Sequence, residues 1–219
     1  MLPVTVGTKQ HQPEVCQPGG AGTLRGMDMK FCSQCGAGVR VGIPGGDNRE
    51  RHICDNCGTI HYHNPKIVAG CIPSWKGKVL LCRRAIEPRH GLWTVPAGFM
   101  ENGETTYQGA ARETLEEANA RVDVQGLYLT VNLPRINQVY LLFRARLLDL
   151  DFSAGEESLE VALFAPEQVP WKELAFPTVA VALEHFFKDQ ERGSFTQRMA
   201  DIERDQTHPL GYRVNLIET

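Results

Sequence analysis

No stretch of the 219-residue sequence approaches the roughly 18 consecutive apolar residues that a membrane-spanning helix requires. The opening segment, MLPVTVGTKQHQPEV, has neither a basic start nor an apolar central run. No secretion signal is therefore expected, and a cytoplasmic location is. Basic charge is short as well: 23 Lys and Arg face 26 Asp and Glu, for a formal charge of −3. That balance argues against a grip on a nucleic-acid backbone or an anionic membrane, because both call for a net basic surface. A small-molecule partner is expected instead. There is no internal repeat and no low-complexity tract. With 42% hydrophobic and 22% charged residues, the chain can bury one full-sized core and a small second module.

Cysteine, by contrast, is plentiful and unevenly placed. Four of the seven fall in two pairs, Cys32-Ser33-Gln34-Cys35 and Cys54-Asp55-Asn56-Cys57, with 18 residues between them. A C-x2-C knuckle turns tightly enough to aim two thiolates at one tetrahedral zinc, and a second knuckle at the end of a hairpin supplies the other two. Gly36 and Gly58 follow the pairs and suit a close backbone approach there. An odd cysteine count and the missing secretion signal weigh against disulfides. His61 and His63, in TIHYHNP, alternate at strand spacing and are read as packing or surface residues, since four thiolates already complete a structural zinc shell. Cys71 and Cys82 stand in apolar runs and read as small buried hydrophobes. Cys16 carries no signal.

Composition divides the chain into four stretches. Residues 1–28, with GGAG and several prolines, read as a flexible tail. Residues 29–66 form the metal module, too small for a core of its own and dependent on zinc to fold. Residues 67–188 mix strands and helices: KIVAGCIP and VLLCRRA flank a turn at SWKGK and predict a hairpin, and VAVALEHFFKD predicts a closing amphipathic helix. Residues 189–219 are polar and read as an extension, a helix and a loose end.

Thr105 and Gln108 have capping-box spacing, so a helix is expected to begin near Thr105. Tyr107, Ala110, Ala111, Thr114, Leu115 and Ala118 then share one stripe, taken as the inward face. Glu113, Glu116 and Glu117 crowd the opposite face, where like charges cost about 0.2–0.5 kcal/mol per pair. Alone they also describe an ordinary solvated acidic face. A hard divalent cation with oxygen ligands suits them better than Arg112 by itself.

The surroundings sharpen this. Gly98, then Glu104, then Arg112-Glu113 and Glu116-Glu117 resemble the Nudix box, G-x5-E-x7-R-E-U-x-E-E-x-G-U, with U aliphatic. Thr114 stands in an aliphatic slot and Asn119 replaces the second glycine; asparagine is the residue after glycine that best tolerates the left-handed turn at a helix end. The resemblance implies an α/β fold, specifically a Nudix α/β/α sandwich with a mixed sheet, preceded by a zinc ribbon. It implies that Glu113, Glu116 and Glu117, with the Gly98 carbonyl, hold Mg2+ or Mn2+, and that Glu104 and Arg112 brace the loop against the helix. Glu156, Glu157 and Glu160 in GEESLE offer a general base or a solvated loop. Arg83, Arg84 and Arg89 are expected either to hold substrate phosphates or to serve solubility. Trp93 and Phe99 are the aromatic residues offered for stacking on a base, although Trp93, in a strand-like stretch, reads first as core.

A zinc ribbon ahead of such a domain resembles both NADH pyrophosphatases and a branch of FAD and ADP-ribose pyrophosphatases. The NADH group carries S-Q-P-W-P-F-P-x-S after the box; this chain has NLPRINQVYLLF there. CDNCGTIHYHNP and LLCRRAIEPRHGLWTVPAGFMENGE look more like the FAD and ADP-ribose branch. A nucleoside diphosphate derivative is the implied substrate. The alternatives are NADH, or a non-catalytic Nudix-like sensor or nucleic-acid-binding regulator that uses Arg49, Arg51 and His52 of the ribbon. Family members are often homodimers, although no residue pattern here marks a dimer face.

Overall fold

A computed structural model describes residues 29–208 and 211–218. The expected tail at 1–28, with Cys16, lies outside the described residues. The described chain divides into a unit ending at Asn64 and one beginning at Pro65.

The first unit is a small antiparallel sheet, β1 (Arg40–Gly42), β2 (Arg51–Ile53) and β3 (Ile60–His61), in that order. Among the described residues its buried apolar ones are Cys32, Ile53 and Cys54. So little apolar surface cannot offset the conformational entropy of ordering the chain, which is why a metal-dependent fold is expected.

In the second unit, β4 (Lys66–Trp75) and β5 (Lys78–Arg84) form the expected hairpin, closed by Lys76 and Gly77 in the left-handed region. Two short strands follow, β6 (Trp93–Thr94) and β7 (Ala97–Phe99), then helix α1 (Thr106–Ala118). Strands β8 (Val122–Leu133), β9 (Gln138–Leu147) and β10 (Ser158–Phe164) precede helix α2 (Pro177–Arg192), and β11 (Arg198–Arg204) and β12 (Tyr212–Glu218) close the chain. The main path of the sheet runs β10-β5-β4-β9-β8-β11-β12, with β6 paired to β5 and β7 to β4. β4–β9 and β8–β11 are parallel and the other pairs antiparallel, so the sheet is mixed.

Alternation along β4 sends Ala69 and Cys71 to one face, where Ala110 of α1 packs with Phe143. It sends Ile72 to the other, where Val179, Ala182, Leu183 and Phe186 of α2 pack. One helix on each face gives the α/β/α sandwich. Trp93 is core, edge-on to Phe164. Cys71 and Cys82 are fully enclosed, and burial pushes both thiols up, that of Cys71 to about 11.

Two expectations fail. Residues 198–204 and 212–218 are strands that extend the sheet, in place of a helix and a loose end. The cause is a buried polar cluster. Arg198 and Asp189 of α2 form an enclosed ion pair, Nη2 donating to Oδ1 at 2.8 Å, and the Tyr128 hydroxyl donates to Asp189 at 2.9 Å. Second, α1 is turned relative to its apolar stripe. Tyr107 and Leu115 are 46% and 49% exposed, whereas Glu113 and Glu117 are only 9% and 6% exposed. Gly109, Ala110, Thr114 and Ala118 complete the buried side.

Candidate active site and zinc centre

β4 and β5 pair only at Ser74–Val79 and Trp75–Lys78. Beyond that they separate, and the Trp93–Phe99 segment lies between them, joined to β5 through β6 and to β4 through β7. A cavity of about 980 Å³ opens at this divergence, bounded by β7, α1, β9 and the start of α2.

One half of the cavity is acidic. α1 begins at Thr105, whose hydroxyl accepts from the Gln108 N–H while the Gln108 side chain accepts from the Thr105 N–H. Its register delivers Glu113, Glu116 and Glu117 to the cavity wall. Glu113 lies directly against Gly98: a Cβ at position 98 would fall inside the Glu113 carboxylate. Arg112 organises the cluster. Its Nε and Nη2 donate to the two oxygens of Glu104 at 3.0 and 2.7 Å, and Nη1 donates to Glu113 at 2.8 Å and Glu116 at 2.9 Å. Nη2 also reaches the Phe99 carbonyl at 3.2 Å, tying the helix to β7. Arg112 and the Glu101 N–H hold the Glu104 carboxyl down to about 2. Burial, and then the charge of Glu113, push the Glu117 carboxyl up to about 8 against the pull of the Ala97 N–H and Arg84. Burial also raises Glu113. Two enclosed carboxylates, Glu113 and Glu117, and the exposed Glu116, with one guanidinium that reaches only Glu113 and Glu116 of the three, make an oxygen donor set short of positive charge, which suits a hard divalent cation.

Glu156 and Glu157 line the cavity, whereas Glu160 sits on β10 with its carboxylate 3.6 Å from Arg83. The 153–155 segment is fastened to the end of α1. Asn119 caps the helix in the left-handed conformation, and its side-chain amide donates to the Ser153 hydroxyl at 3.1 Å and the Ala154 carbonyl at 3.2 Å. The Gly155 N–H donates to the Glu117 carbonyl at 3.0 Å, and a Cβ on Gly155 would collide with the Glu116 carbonyl. Nothing in the sequence signalled this strap.

Of the three arginines, Arg84 lines the cavity, its guanidinium 5.3 Å from the centre of the Phe176 ring. Arg83 and Arg89 do not line it; Arg83 donates to the Gly91 carbonyl, and Arg89 lies in the following turn with φ 70°. Phe99 lines the cavity and Trp93 does not. Sequence reasoning passed over Gln138, Tyr140, Thr178 and Ile202, all of which line the cavity.

In the first unit the four cysteine sulfurs lie within 4.8 Å of one another, Cys32–Cys57 at 3.6 Å and Cys35–Cys54 at 3.5 Å. Zinc–sulfur bonds of about 2.3 Å in a tetrahedron place sulfurs about 3.8 Å apart, so the donor set fits zinc. The knuckles repeat each other: the Gly36 N–H donates to the Cys32 carbonyl and the Gly58 N–H to the Cys54 carbonyl, each at 2.9 Å. Both glycines have φ near +74° and open space around them. The left-handed turn, not close approach, is what requires glycine there. Thr59, through its hydroxyl at 3.1 Å and its N–H, holds the Cys57 thiol down to about 6, favouring the thiolate. His61 approaches as an outer partner, Nε2 lying 3.3 Å from the Cys32 sulfur.

Comparison with known proteins bears on both units. The N-terminal zinc-ribbon family of Nudix proteins matches residues 30–63, and the NUDIX domain family matches residues 64–186. A NUDIX hydrolase from Nitrosomonas europaea is 56% identical, with a TM-score of 0.78 over 80% of this chain and 99% of that one. An ADP-ribose pyrophosphatase from Streptococcus suis shares the fold at 21% identity and a TM-score of 0.52, over 62% of this chain and 99% of that one. Among curated proteins, the NAD-capped RNA hydrolase NudC of Vibrio atlanticus is 38% identical over 105 residues, 46% of this chain and 35% of its own length. The NudC of Chromobacterium violaceum is 30% identical over 134 residues, 61% of this chain and 48% of its own. The chain spans about a third of the length of the Vibrio relatives it matches. Among the described residues, no helix is long and apolar enough to cross a membrane. With the NUDIX model covering more than half of the residues and a zinc-ribbon model covering the unit before it, the chain belongs to the Nudix hydrolase family.

Proposed function

We propose that the chain hydrolyses the diphosphate linkage of a nucleoside diphosphate derivative, FAD or ADP-ribose ahead of NADH. The observation that carries this is the α1 carboxylate cluster facing Gly98 inside a cavity large enough for a dinucleotide. Glu113, Glu116, Glu117 and the Gly98 carbonyl would hold Mg2+ or Mn2+. When bound, such a cation neutralises phosphate charge and acidifies water. Arg112 fixes the carboxylates in place by its contacts to Glu104, Glu113 and Glu116. Arg84, which makes no ion pair among the described residues, meets the substrate's phosphate from the cavity wall. Glu157 is the base, with Glu156 beside it: both line the same cavity as Glu113 and Glu117. It takes a proton from water as a phosphorus–oxygen bond forms and the bridging phosphorus–oxygen bond breaks. FAD gives FMN and AMP; ADP-ribose gives ribose 5-phosphate and AMP.

NLPRINQVYLLF in place of the NADH-group signature supports the substrate order. A second reading, a dinucleotide of the NAD type, is favoured by the NudC relatives, which are NAD-capped RNA hydrolases. Values of kcat/KM for FAD, ADP-ribose and NADH, under one Mg2+ or Mn2+ condition, decide between them. A tenfold lead for NADH, about 1.4 kcal/mol of transition-state preference, replaces the first reading by the second. Absence of turnover on all three would instead favour a non-catalytic sensor.

A further inference from the structure

The α1 carboxylates and Arg84 account for a diphosphate, but the rest of the cavity wall, which begins beside them, has different chemistry. Leu133, Leu142, Val179 and Ile202 make it largely apolar, and the nearest basic side chain of the wall is Arg84, beside Phe176. Three uncharged polar groups stand in that apolar wall. Gln138 and Tyr140 share one face of β9 with Leu142, as the period of two requires. Thr178 occupies the first turn of α2, a 16-residue helix whose N-cap, Phe176, provides no side-chain hydrogen bond. Thr178 is only 2% exposed and its hydroxyl has no partner. Among the described residues the Gln138 amide and the Tyr140 hydroxyl likewise make no hydrogen bond. Buried polar groups are nearly always satisfied, so a hydroxyl without a partner in a cavity wall points to an acceptor that arrives from outside.

Arg84 is the cation that borders this surface and it is already assigned to the diphosphate, so a further phosphate here would lose water without a cation of its own. A flat, uncharged heterocycle with oxygen or nitrogen acceptors on its rim fits both the apolar walls and the three donors. We propose that Gln138, Tyr140 and Thr178 form a recognition edge for the substrate's planar heterocycle and set which nucleotide derivative is cleaved. The assignment rests on the proposed pyrophosphatase reading for the position of the diphosphate, while heterocycle binding itself needs no turnover. Ile202 comes from β11, beyond the residue 186 at which the NUDIX match ends, so this wall extends past the matched domain.

Equilibrium binding of adenosine and of riboflavin, neither of which carries a phosphate, to the zinc-loaded full chain with Mg2+ tests the assignment. At least one is expected to bind saturably, adenosine if the edge reads adenine and riboflavin if it reads the flavin ring. Tyr140→Phe and Thr178→Val remove a hydroxyl with little change of volume, and Gln138→Met keeps the side-chain length. Each should weaken binding at least fivefold at unchanged melting temperature, and should raise KM on the cleaved substrate with kcat within about threefold. Saturable binding of neither compound, or wild-type binding in all three variants, overturns the recognition edge. Loss of hydrolysis on every substrate with heterocycle binding intact and variant-sensitive would overturn the pyrophosphatase reading alone.

Discussion

Position 98 tolerates a hydrogen and nothing larger, because the space a methyl group would need is already filled by the Glu113 carboxylate. Gly98→Ala is therefore expected to displace Glu113, and Glu117→Gln to remove a cation ligand. Both should lower kcat by two or more orders of magnitude, as loss of a preorganised charge clamp does. Steady-state kinetics with Mg2+, alongside thermal melting to confirm folding, checks both; activity within threefold of wild type in Glu117→Gln would remove the carboxylate cluster from the mechanism. Glu104 makes a separate acid-range prediction. Its carboxyl is held down to about 2 in the folded chain and lies near 4.3 in an unfolded one. A depressed carboxyl stabilises the fold above its unfolded value, and that contribution is lost as pH falls toward 2. Glu104→Gln should flatten this acid limb, measured as urea midpoints between pH 5 and pH 2.

At the scale of elements, legibility depended on whether one residue type meant one environment. Thr105 and Gln108 were legible as a cap because their hydrogen bonds are local, and Asn119 as a left-handed end because its φ of 48° is a local choice. The orientation of α1 was not, since the apolar stripe suggested that glutamates point to water, whereas the cavity encloses Glu113 and Glu117 and leaves Leu115 outside. β11 was hidden for the same reason. In RMADIER the buried alternation runs through Arg198, Ala200 and Ile202 while Met199 is exposed, so a charged residue occupies an inward position and breaks the period-two signal. Asp189, nine residues earlier on α2, and Tyr128 on β8 give the buried guanidinium its partners. The Asn119 side chain is likewise silent in sequence, as its acceptors lie 34 and 35 residues away. Asn119→Gly should keep the turn and lose the amide anchor of the strap, leaving the backbone bond from Gly155. Melting temperature is expected to change by a few degrees at most, with kcat falling at least tenfold; unchanged kcat would show that the Glu156–Glu157 loop holds its position without the amide.

Across the whole molecule, the two units depend on different physics. The cysteine knuckles were legible because metal chemistry fixes their spacing, and the ribbon's stability is expected to follow its metal. Cys32→Ser should release about one zinc per chain, read by elemental analysis, and remove the dispersion of the ribbon's amide signals in an NMR spectrum. A zinc-free variant with those signals unchanged would refute the structural role. The second unit relies on its core and on the buried Asp189–Arg198 pair. Arg198→Met would leave a carboxylate enclosed without its partner and should cost about 3–5 kcal/mol in denaturant unfolding. The strap at the end of α1 has a kinetic meaning as well. Some 40 residues of chain separate Glu117 from Glu157, and a free loop of that length would bring its acid back to the cluster only as a rare fluctuation. Pinned through Asn119 and the Gly155 N–H, the two acidic groups instead ride on the same helix end. The loop's wandering is thus settled at folding rather than at every turnover, and the local concentration of one group at the other is set by two hydrogen-bonded anchors instead of by forty residues of chain.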